Sequence, residues 1–233
     1  MCGRYALTMD TDTLMDILRE RYGIEGSLVF DYHPRYNIAP GQQVVAIIND
    51  GTRNRVGLLQ WGLIPGWAQD PSIGNKMFNA RAETLSEKPA FKHSFLNRRC
   101  LILADSFYEW KKDGDNKIPL RVKMKDNSIL ALAGLWSTWK PAEGSPISSC
   151  TVITTTPNPL MAQLHHRMPV ILSTDAEKLW LNPEIRDPDL LGSLLTPFPP
   201  ESMEAYEVSS VVNSWKNDTP DCIKKVGSLH LRG

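Results

Sequence analysis

Apolar positions change their period several times along this 233-residue chain. In "TMDTDTLMDILRERYG", Leu14, Ile17, Leu18 and Tyr22 recur at three- and four-residue steps, the spacing of one helix face. Asp10 or Thr11 can cap that helix and Gly23 can end it. The next stretch, "FDYHPRYNIAPGQ", breaks the pattern with two prolines and a glycine and reads as a loop. Short runs rich in branched residues then predict strands: "QVVAIIN", "RVGLLQWGLIP", "RCLILAD", "IPLRVKM", "SILALAGLW" and "SCTVITTT". Between two of them, "KDGDNK" has the composition of a hairpin turn. "STDAEKLWL" predicts a short helix with a capping box at Thr174 and Glu177. "PDLLGSLLTPFPP" predicts another, stopped by prolines, and "YEVSSVVNSWKNDTPDCIKKV" returns to strand and loop. The alternating run in "CGRYAL" predicts an N-terminus pinned as a strand. One α+β domain of many antiparallel strands over residues 1–225 follows, with 226–233 as a flexible tail.

Composition narrows the class. Hydrophobic residues make up 42% of the chain and charged ones 22%, enough for a full core and against wholesale disorder. Lys+Arg and Asp+Glu both number 26, so nothing marks the domain as strongly basic. A local basic groove remains compatible with that balance. No apolar run reaches transmembrane length and the N-terminus lacks signal-peptide regions, so a cytoplasmic protein is expected. Four cysteines are scattered without a Cys-x-x-Cys, which argues against zinc and against a disulfide framework. Cys100 and Cys150 open apolar runs and read as core residues.

Cys2 is different. Were Met1 removed, one residue would carry a thiol and a free α-amine on neighbouring carbons. With ordinary values of about 8.5 and about 7.7–8.0, both would be partly nucleophilic near neutral pH. An aldehyde meeting that pair forms an imine, and the thiol closes on it to a five-membered thiazolidine. An incidental cysteine in a frayed terminus is the plain alternative. "FNARAET" puts Asn79, Arg81 and Glu83 on one face of an extended segment, either a phosphate-binding face or a solvated one. Glu109, between Tyr108 and Trp110, is a carboxylate whose value burial can raise into the range of a general acid or base, or else a partner for Lys111 or Lys112. His165 and His166 point in different directions, so one at most serves a site as proton shuttle. No further ligands stand at metal-binding spacing. Trp61 and Trp67 flank a Pro-Gly turn and either stack on nucleobases or pack inside.

In order along the chain, "MCGRY", "RYNIAPGQ", "QWGLIPGWA", "FNARAET", "RCLILADSFYEWKK" and "LHHRMPVIL" resemble the SRAP (SOS-response-associated peptidase) family. The resemblance implies a single α+β domain of curved, largely antiparallel sheets. It implies capture of abasic sites in single-stranded DNA as a thiazolidine crosslink that shields the lesion. By that resemblance Cys2 is the crosslinking residue, Asn79 positions the abasic sugar, Glu109 moves protons in ring opening and crosslink reversal, and His165 is the family histidine. Arg4 and Arg81 would contact phosphates, Trp61 and Trp67 would line the DNA path, and Thr154 would support the site. No cofactor or metal is implied, and a monomer is expected. Two other readings stay open: a cysteine peptidase with Cys2 as nucleophile, His165 as base and Glu109 as orienter, and a noncovalent single-strand binder using Trp and Arg alone.

Overall fold

A computed structural model describes residues 2–228, except the side chains of Asp113 and Ser228. In chain order the elements are β1 (Tyr5–Leu7), α1 (Thr11–Tyr22), β2 (Arg35–Ile38), β3 (Gln43–Asn49), β4 (Asn54–Trp61), β5 (Asn79–Arg81), α2 (Pro89–Asn97), β6 (Arg99–Ala104) and β7 (Ser106–Asp113). There follow β8 (Asn116–Met124), β9 (Leu130–Trp139), β10 (Ile147–Thr155), α3 (Pro159–Ala162), β11 (Met168–Pro169), α4 (Thr174–Leu181), α5 (Pro188–Ser193), β12 (Met203–Val208) and β13 (Lys225–Ser228).

Five strands close on themselves. The pairings β10–β4, β4–β3, β3–β6, β6–β9 and β9–β10 form a ring, a small barrel with β5 and β11 added along β10. Pairing is antiparallel except where β10 meets β4 and β5. Closure brings backbones close together at Gly134 on β9. A Cβ there would lie 2.9 Å from Cys100 Sγ and 3.0 Å from the Thr151 carbonyl oxygen, so the position favours the residue without one. The second sheet is open, in the order β13-β12-β8-β7-β1-β2, and antiparallel throughout. One apolar cluster runs from the barrel to the inner face of this sheet, including Tyr5, Leu7, Phe107 and Val122. Cys100 and Cys150 lie in it, fully buried.

The other face of the open sheet carries a second cluster of Ala6, Tyr108, Val208, Val212 and Cys222. The chain after β12 covers it as a strap. Asn37, fully buried on β2, fastens that strap: its Nδ2 donates to the carbonyls of Ser214 at 2.9 Å and Asn217 at 2.6 Å. Asp218 in turn accepts from the Asn37 backbone N–H at 3.0 Å.

Local signals explain most elements. Asp10 caps α1 by accepting from Thr13 N–H, Gly23 ends it at φ 64°, and Leu14, Leu18 and Tyr22 are its buried face. Gly114, also left-handed, turns β7 into β8. Three expectations need correction. Residues 35–38 of the expected loop form β2, because Asp218 and β1 supply partners that lie far away in sequence. No Thr174–Glu177 capping box forms: Ser173 is the cap, and Glu177 is buried in an ion pair with Arg21. Residues 226–228, expected to begin the tail, pair with β12, whereas 229–233 lie outside the described residues. Among the described residues no helix is long and apolar enough to cross a membrane.

Candidate active site

Four segments distant in sequence meet where β1, β5 and β7 adjoin the loop between α3 and β11. β5 pairs with the last residues of β10, with Ala80 buried between two outward neighbours. That alternation turns Asn79 toward the N-terminus, and its Nδ2 donates to the Cys2 carbonyl at 2.8 Å. Asn79 Oδ1 is buried with no partner among the described residues, an acceptor left open beside Cys2.

Cys2 is fully buried. Burial first and the charge of Glu109 second push its thiol up to about 12. This revises the sequence expectation of a partly ionised thiol: at neutral pH the sulfur holds its proton. Met1, whose removal that expectation required, lies outside the described residues. Glu109 on β7 is itself 4% exposed, and burial pushes its carboxyl up to about 7. The aromatic flank that suggested a raised value does not supply that burial: Tyr108 and Trp110 alternate away from Glu109 on β7 and pack with the second cluster.

Glu109 and His165 line one cleft of about 520 Å³, together with Arg4, Trp110, Lys112, Lys117 and Asn213. A second hollow of about 790 Å³ continues it past Trp110, Lys112 and His165 toward Pro157 and His166. His165 accepts at Nδ1 from the Arg167 backbone N–H at 3.0 Å and stacks on His166 with centroids 4.2 Å apart. Desolvation lowers its pKa, so the ring is neutral at neutral pH.

Arg4 lines the cleft, as a phosphate contact should, but one of its arms is committed. Nη1 donates to Asn37 Oδ1 at 2.7 Å and to the Val212 carbonyl at 2.8 Å, and the guanidinium lies over the Trp110 ring. Trp110 Nε1 donates to Asn213 Oδ1 at 2.7 Å, which ties β7 to the strap. Trp110, Lys112, Lys117 and Asn213 were not singled out from the sequence as site residues. A signal existed for the two lysines: a two-residue turn in "KDGDNK" sets Lys112 directly opposite Lys117. Like charges so paired repel unless an anion sits between them.

Several expected contacts lie elsewhere. Trp61 is fully buried, tilted against Tyr5 and edge-to-face with Phe78, and donates Nε1 to the Phe78 carbonyl at 2.8 Å, so it has no face for DNA. Thr154 is also buried, its Oγ1 donating to the Ala80 carbonyl at 3.3 Å, and it serves the framework rather than a ligand. Trp67 is 63% exposed, but its loop abuts the far end of β9, where Trp139 Nε1 donates to the Ala68 carbonyl. Arg81 is exposed on β5 two residues from Asn79 and is not among the residues lining the cleft. Among the described residues no group of three His, Cys, Asp or Glu could hold a metal ion.

The chain is 53% identical over 226 residues to the "Abasic site processing protein YoqW" of Bacillus subtilis (strain 168), covering 96% of this chain and 99% of that one. It is 29% identical to the "Abasic site processing protein YedK" of Escherichia coli (strain K12), covering 97% of this chain and all of that one. A crystal structure of a Bacteroides thetaiotaomicron protein superposes with a TM-score of 0.84 at 27% identity, over 96% of this chain and 99% of that one. The model of the SOS response associated peptidase (SRAP) family matches residues 1–215. The ordered motifs, the fold and these matches agree, and the chain belongs to the SRAP family.

Proposed function

We propose that the protein captures abasic sites in single-stranded DNA as a thiazolidine on Cys2. The observation that supports this most is the coupling of Cys2, held by Asn79, to a buried carboxyl brought to about 7. The relatives named as abasic site processing proteins point the same way. Removal of Met1, by an aminopeptidase or by the protein itself, is the activating step, because only then is the Cys2 nitrogen an amine.

The open abasic sugar carries an aldehyde. The amine adds to it, and loss of one water gives an imine. The thiol then adds across the C=N bond: sulfur bonds to carbon, the thiol proton leaves, and nitrogen gains a proton. Because the thiol starts neutral, ring closure needs a base. Near pH 7 Glu109 is about half ionised, so it can take that proton and pass it on to nitrogen. His165, neutral at that pH, is suited to the proton transfers that open the sugar ring. Asn79 Oδ1 offers an acceptor for a sugar hydroxyl or the new N–H. Arg4, Lys112 and Lys117 supply the positive rim for phosphates, and Trp110 an aromatic wall where a base is missing. Every group comes from one chain, so a monomer suffices. A peptidase nucleophile would want a lowered thiol pKa, and Glu109 acts in the opposite sense.

The test is a Met1-processed sample mixed with an oligonucleotide bearing one abasic site, read on a denaturing gel and by intact mass. The expected product is one oligonucleotide heavier less one water, and absent for Cys2→Ala and for Met1-retained protein. Absence of any adduct with fully processed protein would refute the proposal.

A further inference from the structure

Glu83 stands outside the cleft, yet its carboxylate is joined to the loop that carries His165. Its two oxygens accept from Arg167 Nη1 at 2.7 Å and Nη2 at 2.9 Å, the bidentate geometry that fixes a guanidinium in plane and direction. Nη2 also donates to the Thr154 carbonyl at the end of β10. The Arg167 side chain is 11% exposed, so three fixed acceptors on two elements hold it against the protein. Residues 165–167 belong to no helix or strand; they lead straight into β11, which pairs with the end of β10, and the Arg167 side chain adds a second tie to that strand.

The backbone N–H of Arg167 donates to His165 Nδ1 at 3.0 Å. The Arg167 carbonyl oxygen is 3.2 Å from the same ring nitrogen. The peptide plane decides between them. Its N–H has a fixed direction and points at Nδ1, so a proton placed on Nδ1 would face it head-on. A neutral ring therefore accepts at Nδ1 and carries its proton on Nε2. Among the described residues, the other charged or titratable groups that share its hollows are His166, stacked at 28°, and Arg4, Glu109, Lys111, Lys112 and Lys117. None of these fixes the direction of the Arg167 N–H.

We propose that Glu83 is a positioning residue: by clamping Arg167 it sets the ring orientation of His165 and keeps the imidazole proton on Nε2. Its effect on crosslinking rests on the function proposed above; its effect on the ring does not. Glu83 is half exposed, so replacing it removes the clamp without opening the core.

The experiment uses protein with ¹⁵N-labelled histidine. Long-range ¹H–¹⁵N spectra without DNA report which His165 nitrogen is protonated, and single-turnover crosslinking at saturating abasic oligonucleotide reports the rate. In the unaltered protein His165 should show the Nε2–H pattern. Glu83→Gln should yield mixed tautomers and a rate lower by about tenfold, a part of the full contribution of a proton-transfer group. Arg167→Lys, which cannot make the bidentate pair, should change the spectrum in the same way, and Glu83→Asp should restore part of both readouts. An unchanged His165 spectrum in Glu83→Gln would overturn the proposal. A changed spectrum with an unchanged rate would uphold it and count instead against His165 in the reaction.

Discussion

At the scale of single residues, Cys2 and Glu109 act on each other through charge. An ionised Glu109 raises the thiol, and burial raises both, so the resting pair favours a protonated sulfur. The cost falls on stability. With its folded value at about 7, above the ordinary 4.5, Glu109 holds its proton more tightly in the native state than in the unfolded chain. Stability contributed by this group is thus fully present below about 4.5 and declines as pH rises through about 7. Glu109→Gln, neutral throughout, should be more stable than the parent at pH 8 by about 3 kcal/mol, with the gain vanishing near pH 4, in urea titrations at the two pH values. The same substitution should slow crosslinking by about 10²-fold. A parent whose stability does not fall between pH 4 and 8 relative to Glu109→Gln would show that the carboxyl is not raised. Cys2 and Glu109 could be picked out in the sequence because their neighbours are unusual: a terminus in one case, two aromatics in the other. Trp61 could not, since an indole in a turn-rich stretch looks the same whether it faces Phe78 or solvent.

At the scale of elements, the β7–β8 hairpin is the part of the site most exposed to test. It projects Lys112 and Lys117 side by side into the cleft. Each phosphate contact on a single strand contributes about 0.7 to the salt dependence of binding, so Arg4 and the two lysines give a slope of about −2. Lys112→Ala with Lys117→Ala should reduce it by about 1.4 in fluorescence-anisotropy titrations on a reduced, non-reactive abasic oligonucleotide. A slope near −7, or one indifferent to both lysines, would mean the strand binds another face. Legibility of elements follows where their partners lie. β3, β6 and β9 are central strands buried on both faces, so their apolar runs announce them, and α1 carries both its caps within its own segment. β2 and β5 are short and held by remote partners, Asp218 for one and β10 for the other, and no local pattern records that. α2 begins at a Lys88 whose side chain makes no capping bond, so Pro89 at its first position is its local start signal.

At the scale of the whole molecule, barrel and open sheet meet so that the N-terminus runs between them. β1 pairs with β2 and β7, and Asn79 reaches Cys2 from a strand of the barrel. The strap over the second cluster fixes Arg4 and Trp110 from the other side. The proposed reaction joins, at this junction, one carbon of DNA to both nucleophiles of a single residue. The most direct measurement is a ¹³C spectrum of processed protein reacted with an oligonucleotide labelled at C1′ of its abasic sugar. The expected product has a carbon bonded to nitrogen and sulfur at once, a thiazolidine, formed on Cys2. A carbon bonded to a lysine nitrogen, or to sulfur and oxygen alone, would contradict it.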